Sequence, residues 1–237
     1  MGIRSAGRPL IGRHAFGSGI CLFTSGRKPA YTGVIGLARR ERIVTRRLTK
    51  PRLDVKYPQV LGLQNRLVQR IVNHSILDAI YKLIRKQDYV QDQTKTVSGS
   101  YKVKLHKNGL LSLLYDVYGY SQGAAHGLTY QSSQTFDLRD GREYQLKDLF
   151  KPGSDYVRRL SAIIRRRFKE QDIPMIAEFR SIRPDQDFYL TDRAIGIYFQ
   201  LYEYTPYAYG FPTFEIPFTE VADILDPNGP VALLAYR

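Results

Sequence analysis

The sequence predicts an α+β fold: antiparallel sheet with two main helices packed on it and a short C-terminal helix. Three observations lead there. Several segments alternate apolar and polar residues with the period of two that a half-buried strand requires. Two other segments repeat apolar residues at i, i+3 and i+4, the period of an amphipathic helix. Asn108-Gly109 and Asp140-Gly141 stand between strand patterns and supply the positive φ of tight turns. Runs of strands with two interspersed helices point to an antiparallel α+β domain.

In chain order, Ile43, Thr45 and Arg47 alternate weakly with Val44, Arg46 and Leu48. Leu53, Val55 and Tyr57 alternate more clearly, and Pro58 ends that stretch. A long helix is predicted from about Gly62 to Lys86. Leu63, Leu67, Val68, Ile71, Val72, Ile76, Ile80, Leu83 and Ile84 form its apolar stripe, and Arg66, Arg70, Lys82 and Arg85 take much of the rest. Asn73 is placed to bond a neighbouring backbone group. After a polar connector, Tyr101, Val103 and Leu105 alternate up to the Lys107-Asn108-Gly109 turn. Leu110–Tyr120 is apolar on both faces, which places it centrally in its sheet. Further strands are predicted over 129–138 and 142–146. A second helix follows over 154–171, with Ser154 as N-cap and Asp155 in its first turn. Its apolar arc is Tyr156, Val157, Leu160, Ile163, Ile164 and Phe168; Arg158, Arg159, Arg165, Arg166 and Lys169 share the other side. The basic side reads as a solvated helix face, since no aromatic platform accompanies it. A strand over 194–204 puts Ile195, Ile197, Phe199 and Leu201 on one face and Tyr198, Gln200, Tyr202 and Tyr204 on the other. Phe214–Phe218 is a short strand, and Glu220–Leu225, capped by Thr219, is the short helix.

Charge divides the chain unevenly. Residues 1–50 hold eleven Lys/Arg against one acid, whereas residues 51–237 hold 25 against 21. The basic signal therefore belongs to the N-terminal segment, and a uniform nucleic-acid-binding surface is not what this distribution predicts. Residues 1–41 have no usable periodicity; they read as a disordered basic arm or as sequence upstream of a later true start. The lone cysteine, Cys21, excludes an intrachain disulfide and a cysteine-based zinc site. No apolar run is long enough for a membrane helix, and no signal-peptide core is present in the sequence as written.

The sequence holds no Gly-rich phosphate loop, no His-Glu-x-x-His helix and no nucleophile elbow. No cofactor is called for. His126 sits in the small-residue loop Gly123-Ala124-Ala125-His126-Gly127, and loops of this kind often display functional groups. It is the one centre around which a hydrolase reading can be built, with Asp116, Asp137, Asp140 and Glu203 as carboxylates that could pair with it. The alternative is a loop histidine bonded to a carbonyl. The run Tyr202–Phe218 is richer: Tyr204, Tyr207, Tyr209 and Phe211 crowd between Pro206, Gly210 and Pro212, which fix an irregular loop. A pre-set aromatic loop loses little entropy on binding, and tyrosine is favoured at contact sites. The same rings could instead seal a core beneath the loop.

Several motifs together resemble the RsiV-like extracytoplasmic domain family. They are Tyr57-Pro58-Gln59, Tyr118-Gly119-Tyr120, Gly123–Gly127, Phe136-Asp137-Leu138 with Gly141, Leu146–Phe150, Phe188-Tyr189-Leu190, Tyr202–Gly210 and Phe214–Phe218, in order and spacing. The resemblance implies a PdaC-like N-terminal half over 42–140, an RsiV-like C-terminal half over 141–226 and a tail over 227–237. It implies a cell-envelope domain of Gram-positive bacteria, placed outside the cytoplasm. It also implies a non-catalytic binding or sensing module whose partner is lysozyme, another envelope protein or peptidoglycan. No deacetylase domain accompanies the PdaC-like half, and residues 1–40 match neither a sigma-binding segment nor a membrane helix. Tyr204, Pro206, Tyr207, Tyr209 and His126 are the expected contact residues; the alternative function is a cell-wall glycan or peptide hydrolase centred on His126.

Overall fold

A computed structural model describes residues 41–235. The expectation of a disordered or upstream-derived segment over 1–41 falls, but for Glu41, outside the described residues. Five strands form the larger sheet in the order β1 (Arg42–Lys50), β2 (Leu53–Leu61), β3 (Thr96–Lys107), β4 (Leu110–Tyr120) and β5 (Leu128–Asp137). Helix α1 (Arg66–Lys86) connects β2 to β3. Helix α2 (Tyr156–Glu170) precedes a second, antiparallel sheet of β6 (Phe188–Leu190), β7 (Ala194–Tyr198) and β8 (Thr213–Pro217), and α3 (Ala232–Ala235) closes the described chain. The α+β class with mostly antiparallel sheet, two main helices and one short one is the architecture found. One pair departs from it: β2 and β3 run parallel over Leu53–Val55 and Val97–Gly99, because the α1 crossover returns the chain in its original direction.

Local chemistry sets most boundaries. Asn65 caps α1, its side-chain oxygen accepting from the backbone N–H of Leu67 and Val68, so the helix starts after the predicted Gly62. Asn108 and Gly109 both adopt positive φ (52° and 78°), as the predicted two-residue hairpin requires. Asp155, not Ser154, caps α2 and accepts from Arg158 N–H. The predicted strand over 142–146 is reduced to a single bridge, Phe136 with Glu143, before the chain turns into a 3₁₀ segment, Leu146–Leu149. The short helix is displaced as well. Phe218–Glu220 is one 3₁₀ turn, and the α-helical turn is α3, whose Leu234 enters the core together with Val231 just before it.

The sheet face toward α1 holds Val55, Val60, Leu111, Leu113, Tyr115, Val117 and Phe136, packed on Val68, Val72, Ile76, Ile80, Leu83 and Ile84. Leu67 and Ile71, expected in that stripe, are exposed (56% and 45%). A helix packed on a flat sheet buries only one arc, and these two positions fall on the opposite side. Asn73 meets its expectation. It accepts from Val60 N–H and donates to Val60 O, 2.8 Å each, and so stands in for a neighbouring strand.

The opposite faces of β4 and β5 meet the C-terminal half. Leu110 joins a core with Leu146, Leu149, Leu160, Ile164, Phe168, Ile195, Ile197, Phe199, Phe214 and Ile216. Leu114 packs with Tyr189 and Tyr198. Hydroxyls tie the halves together: Ser112 Oγ accepts from Leu190 N–H (2.9 Å) and Ser133 Oγ donates to Phe188 O (2.6 Å). β4 is thus central and buried on both faces, as its apolar run predicts. The basic side of α2 is largely neutralised. Arg159 lies 3.6 Å from Asp223, Arg166 3.5 Å from Glu170 and Arg167 2.7 Å from Glu220, while Arg165 donates to Arg180 O.

Candidate functional site

The site forms where the chain leaves β7. The predicted strand over 194–204 stops at Tyr198, because residues 200–203 close a turn: Glu203 N–H donates to Gln200 O (3.2 Å), and Glu203 Oε2 accepts from Gln200 N–H (2.9 Å). The Gln200 amide then bonds the edge of β5, donating to Gln131 O (2.9 Å) and accepting from Gln131 N–H (3.1 Å). Breaking the strand also breaks its predicted faces. Tyr202 takes φ of 65°, a left-handed conformation rarely held by a residue with a bulky side chain, and the residue is 47% exposed.

Beyond the turn, Tyr204 points inward. Its ring packs edge-on against Phe199 (5.0 Å) and Phe179 (5.3 Å), and burial pushes its phenol above the usual range, with Glu203 adding to the shift. Thr205 is fully buried, and Ile176 N–H holds Tyr204 O at 2.9 Å. Pro206 starts the 3₁₀ turn Tyr207–Tyr209, and Gly210 ends it at φ 85°, ψ −149°, a region open in practice only to glycine. Two anchored residues therefore display a short, stiff loop.

The β4–β5 loop supplies the other side. Gly127 is buried, and a Cβ there would lie 2.3 Å from the ring of Tyr118, so glycine is required where that ring packs. His126, next to it, is exposed. Its ring stacks on Tyr207 at 4.3 Å and 25°, with Tyr202 at 6.4 Å from His126 and 5.7 Å from Tyr207. His126 Nδ1 faces Gly127 O at 2.9 Å, and a carbonyl only accepts, so Nδ1 carries the proton. In the neutral ring Nε2 is then the acceptor for the Tyr202 hydroxyl, 3.2 Å away.

Of the expected contact residues, His126 and Tyr207 are brought together, and Tyr209 lies close in the same loop, 42% exposed. Pro206 shapes the turn, and Tyr204 anchors it from the core side. Tyr202 completes the cluster. Composition placed it in the aromatic run, but strand periodicity hid its left-handed turn. Both nitrogens of His126 are taken by a carbonyl and a phenol; among the described residues neither a carboxylate nor a serine hydroxyl bonds the ring. The arrangement offers a preorganised aromatic surface at the mouth of the β4–β5 loop. Among the described residues no group of three His, Cys, Asp or Glu could hold a metal ion, and no helix is long and apolar enough to cross a membrane.

Comparison with known proteins agrees with this fold. Residues 48–129 match the family described as deacetylase PdaC, and residues 147–219 match a family described as a protein of unknown function, DUF3298. No curated protein matches the chain. Its fold is similar to the crystal structure of a DUF3298 family member from Bacteroides fragilis NCTC 9343, at 15% identity and a TM-score of 0.59, over 84% of this chain and 97% of that one. It is similar also to a DUF3298 family protein from Pseudomonas aeruginosa PAO1, at 15% identity and a TM-score of 0.58, over 80% and 94%. At that identity the likeness speaks for fold alone. The chain thus carries a PdaC-type region over residues 48–129, followed by a DUF3298-type region over residues 147–219.

Proposed function

We propose that this chain is a non-catalytic binding module of the cell envelope, and that Tyr202, His126, Tyr207 and Tyr209 form its contact surface. The observation that carries this reading is Tyr202. A left-handed conformation costs a non-glycine residue about 1–2 kcal/mol, yet here it is spent on a half-exposed tyrosine rather than on a core side chain. Such local strain collects at functional sites. The loop around it is fixed by Thr205, Pro206 and Gly210, which lowers the entropy lost on binding. The finer likeness to the RsiV-like extracytoplasmic domain belongs to the same proposal. It is supported by the ordered motif set and by PdaC and DUF3298 matches that fall in that order. It makes lysozyme, another envelope protein or peptidoglycan the partner.

Retention of the full chain by immobilised lysozyme and by insoluble peptidoglycan tests the reading. One of the two should retain the protein, and Tyr202→Ala should lose at least tenfold in affinity, the scale of one contact hot spot. Retention by neither, or equal retention of Tyr202→Ala, would overturn it. Cleavage of either polymer by the parent, abolished in His126→Ala, would replace it with the hydrolase reading.

A further inference from the structure

The sequence of α1 carries an apolar stripe wider than the fold uses. Leu67, Ile71 and Tyr81 are exposed (56%, 45% and 38%), and they share one helix. With His74 and Asp78 they run at spacings of 4, 3, 4 and 3 down a single line. At 100° per residue that line lies roughly opposite the buried arc of Val72 and Ile76. It is the outermost ridge of a helix about 31 Å long. Arg66 and Arg70 flank it on one side and Lys82 on the other, with Arg85 at its end, all four exposed.

These cations differ from those of α2. The α2 arginines Arg158, Arg159, Arg166 and Arg167 each stand within 4 Å of a carboxylate. Among the described residues no carboxylate pairs with Arg66, Arg70, Lys82 or Arg85, and Arg66 has only the Gln69 side chain, at 3.4 Å. The single acid of α1, Asp78, is 3.4 Å from His74. The result is a helix face on which Leu67, Ile71 and Tyr81 are exposed among four cations that no carboxylate of the described residues neutralises. Leu67 and Ile71 border a shallow hollow with Tyr57, Pro58 and Gln59. Nucleic acid would match the charge but leave Leu67 and Ile71 without a partner. A plane of negative headgroups over hydrocarbon matches both: the ridge enters the interface while the long basic stems reach the headgroups beside it.

We infer that the outer face of α1 docks on an anionic lipid bilayer, lying along its surface. Charge complementarity selects this occupant, and the helix lies in the interface without spanning it. The surface is separate from the ring cluster around His126, so either can fail without the other.

Flotation of the full chain with vesicles of phosphatidylcholine alone, and of phosphatidylcholine with phosphatidylglycerol, tests this. The basic N-terminal segment also attracts anionic vesicles, so the variants carry the test. Each cation near the surface contributes roughly fivefold, so the double variant Arg70→Gln with Lys82→Gln should partition about 25-fold less well into the anionic vesicles. Leu67→Ser with Ile71→Ser should lose roughly tenfold or more, because the apolar area entering the interface is removed. Both pairs are exposed, so an unchanged thermal unfolding curve should accompany these losses. Arg158→Gln, on the neutralised helix, should bind as the parent does. About 1 M salt, where screening acts within about 3 Å, should release the protein. Equal binding to both vesicle types, no binding to either, or parent-like binding of both double variants would overturn the proposal. Capture by an acidic protein without any vesicle binding would do the same.

Discussion

Gln87 fills the space that a Cβ on Gly119 would need: the added carbon would lie 2.3 Å from the glutamine side-chain oxygen. Gln87 is buried at the end of α1, and its amide donates to Val117 O at 2.6 Å and Leu128 O at 2.9 Å. It fastens helix to sheet where β4 and β5 begin to diverge toward the His126 loop. Gln87→Ala would leave two carbonyls short of a donor, and a loss of about 2–3 kcal/mol in urea unfolding is expected. Gly119→Ala should destabilise by a similar amount, since the amide must give up its place.

The contact between the halves can be tested at one hydroxyl. Ser112 is fully buried, accepts from Leu190 N–H and bonds Thr135 Oγ1 at 2.8 Å. Ser112→Ala should cost about 1–3 kcal/mol by leaving the Leu190 amide unpaired. The unfolding transition should stay single, because the loss falls on a junction shared by both cores.

Acid should destabilise the protein by protonating carboxylates held below their usual range: Asp137, Asp92 and, with them, the Arg47-paired Asp54. Burial alone would raise Asp137, but the Arg139 side chain and backbone and the Tyr144 hydroxyl outweigh it, and its pKa is lowered. Asp92 is drawn down to about 2, chiefly by the Ser121 hydroxyl and then by Thr94. All three folded values lie below the unfolded one, about 3.9. Their stabilisation is therefore complete above about pH 4 and is lost as pH falls through the folded values. Stability measured against pH should fall between about pH 4 and 2, and Asp92→Asn should flatten that limb.

Tyr202 separates stability from contact. Glycine adopts its φ of 65° without strain. Tyr202→Gly should therefore unfold within about 1 kcal/mol of the parent, relief of strain offsetting lost packing. Binding should still fall at least tenfold, as for the alanine variant. A large drop in stability would show that the ring serves the fold and not a partner.

Much of the fold was legible because periodicity reports burial directly. The two-faced run Leu110–Tyr120 announced a central strand, and Asn108-Gly109 announced its hairpin. Periodicity is silent on which arc of a wide stripe meets the sheet, so Leu67 and Ile71 were assigned to the core. It is equally silent on long-range hydrogen bonds. The Gln200 amide that ends β7 is bonded to Gln131, far along the chain, and neither residue carries a local signal of the other. For the same reason the loop of His126 and the run after Tyr202 were each visible, but their stacking was not. Adjacent capping residues, Ser154 and Asp155, differ too little in preference for sequence to choose between them.

β5 lies almost entirely in the gap between the two matched regions, which end at residue 129 and resume at 147. Over Leu110–Tyr115 its inner neighbour β4 has no side left for water: Leu111, Leu113 and Tyr115 face α1, and Leu110, Ser112 and Leu114 face the C-terminal half. The two regions are therefore not modules that can be shuffled independently. A gene rearrangement that carried the first without the second would bare Leu110, Ser112 and Leu114 in the middle of the sheet. Wherever the first region stands without the second, some other structure must roof those positions, and what roofs them is the place to look for how such proteins diverged.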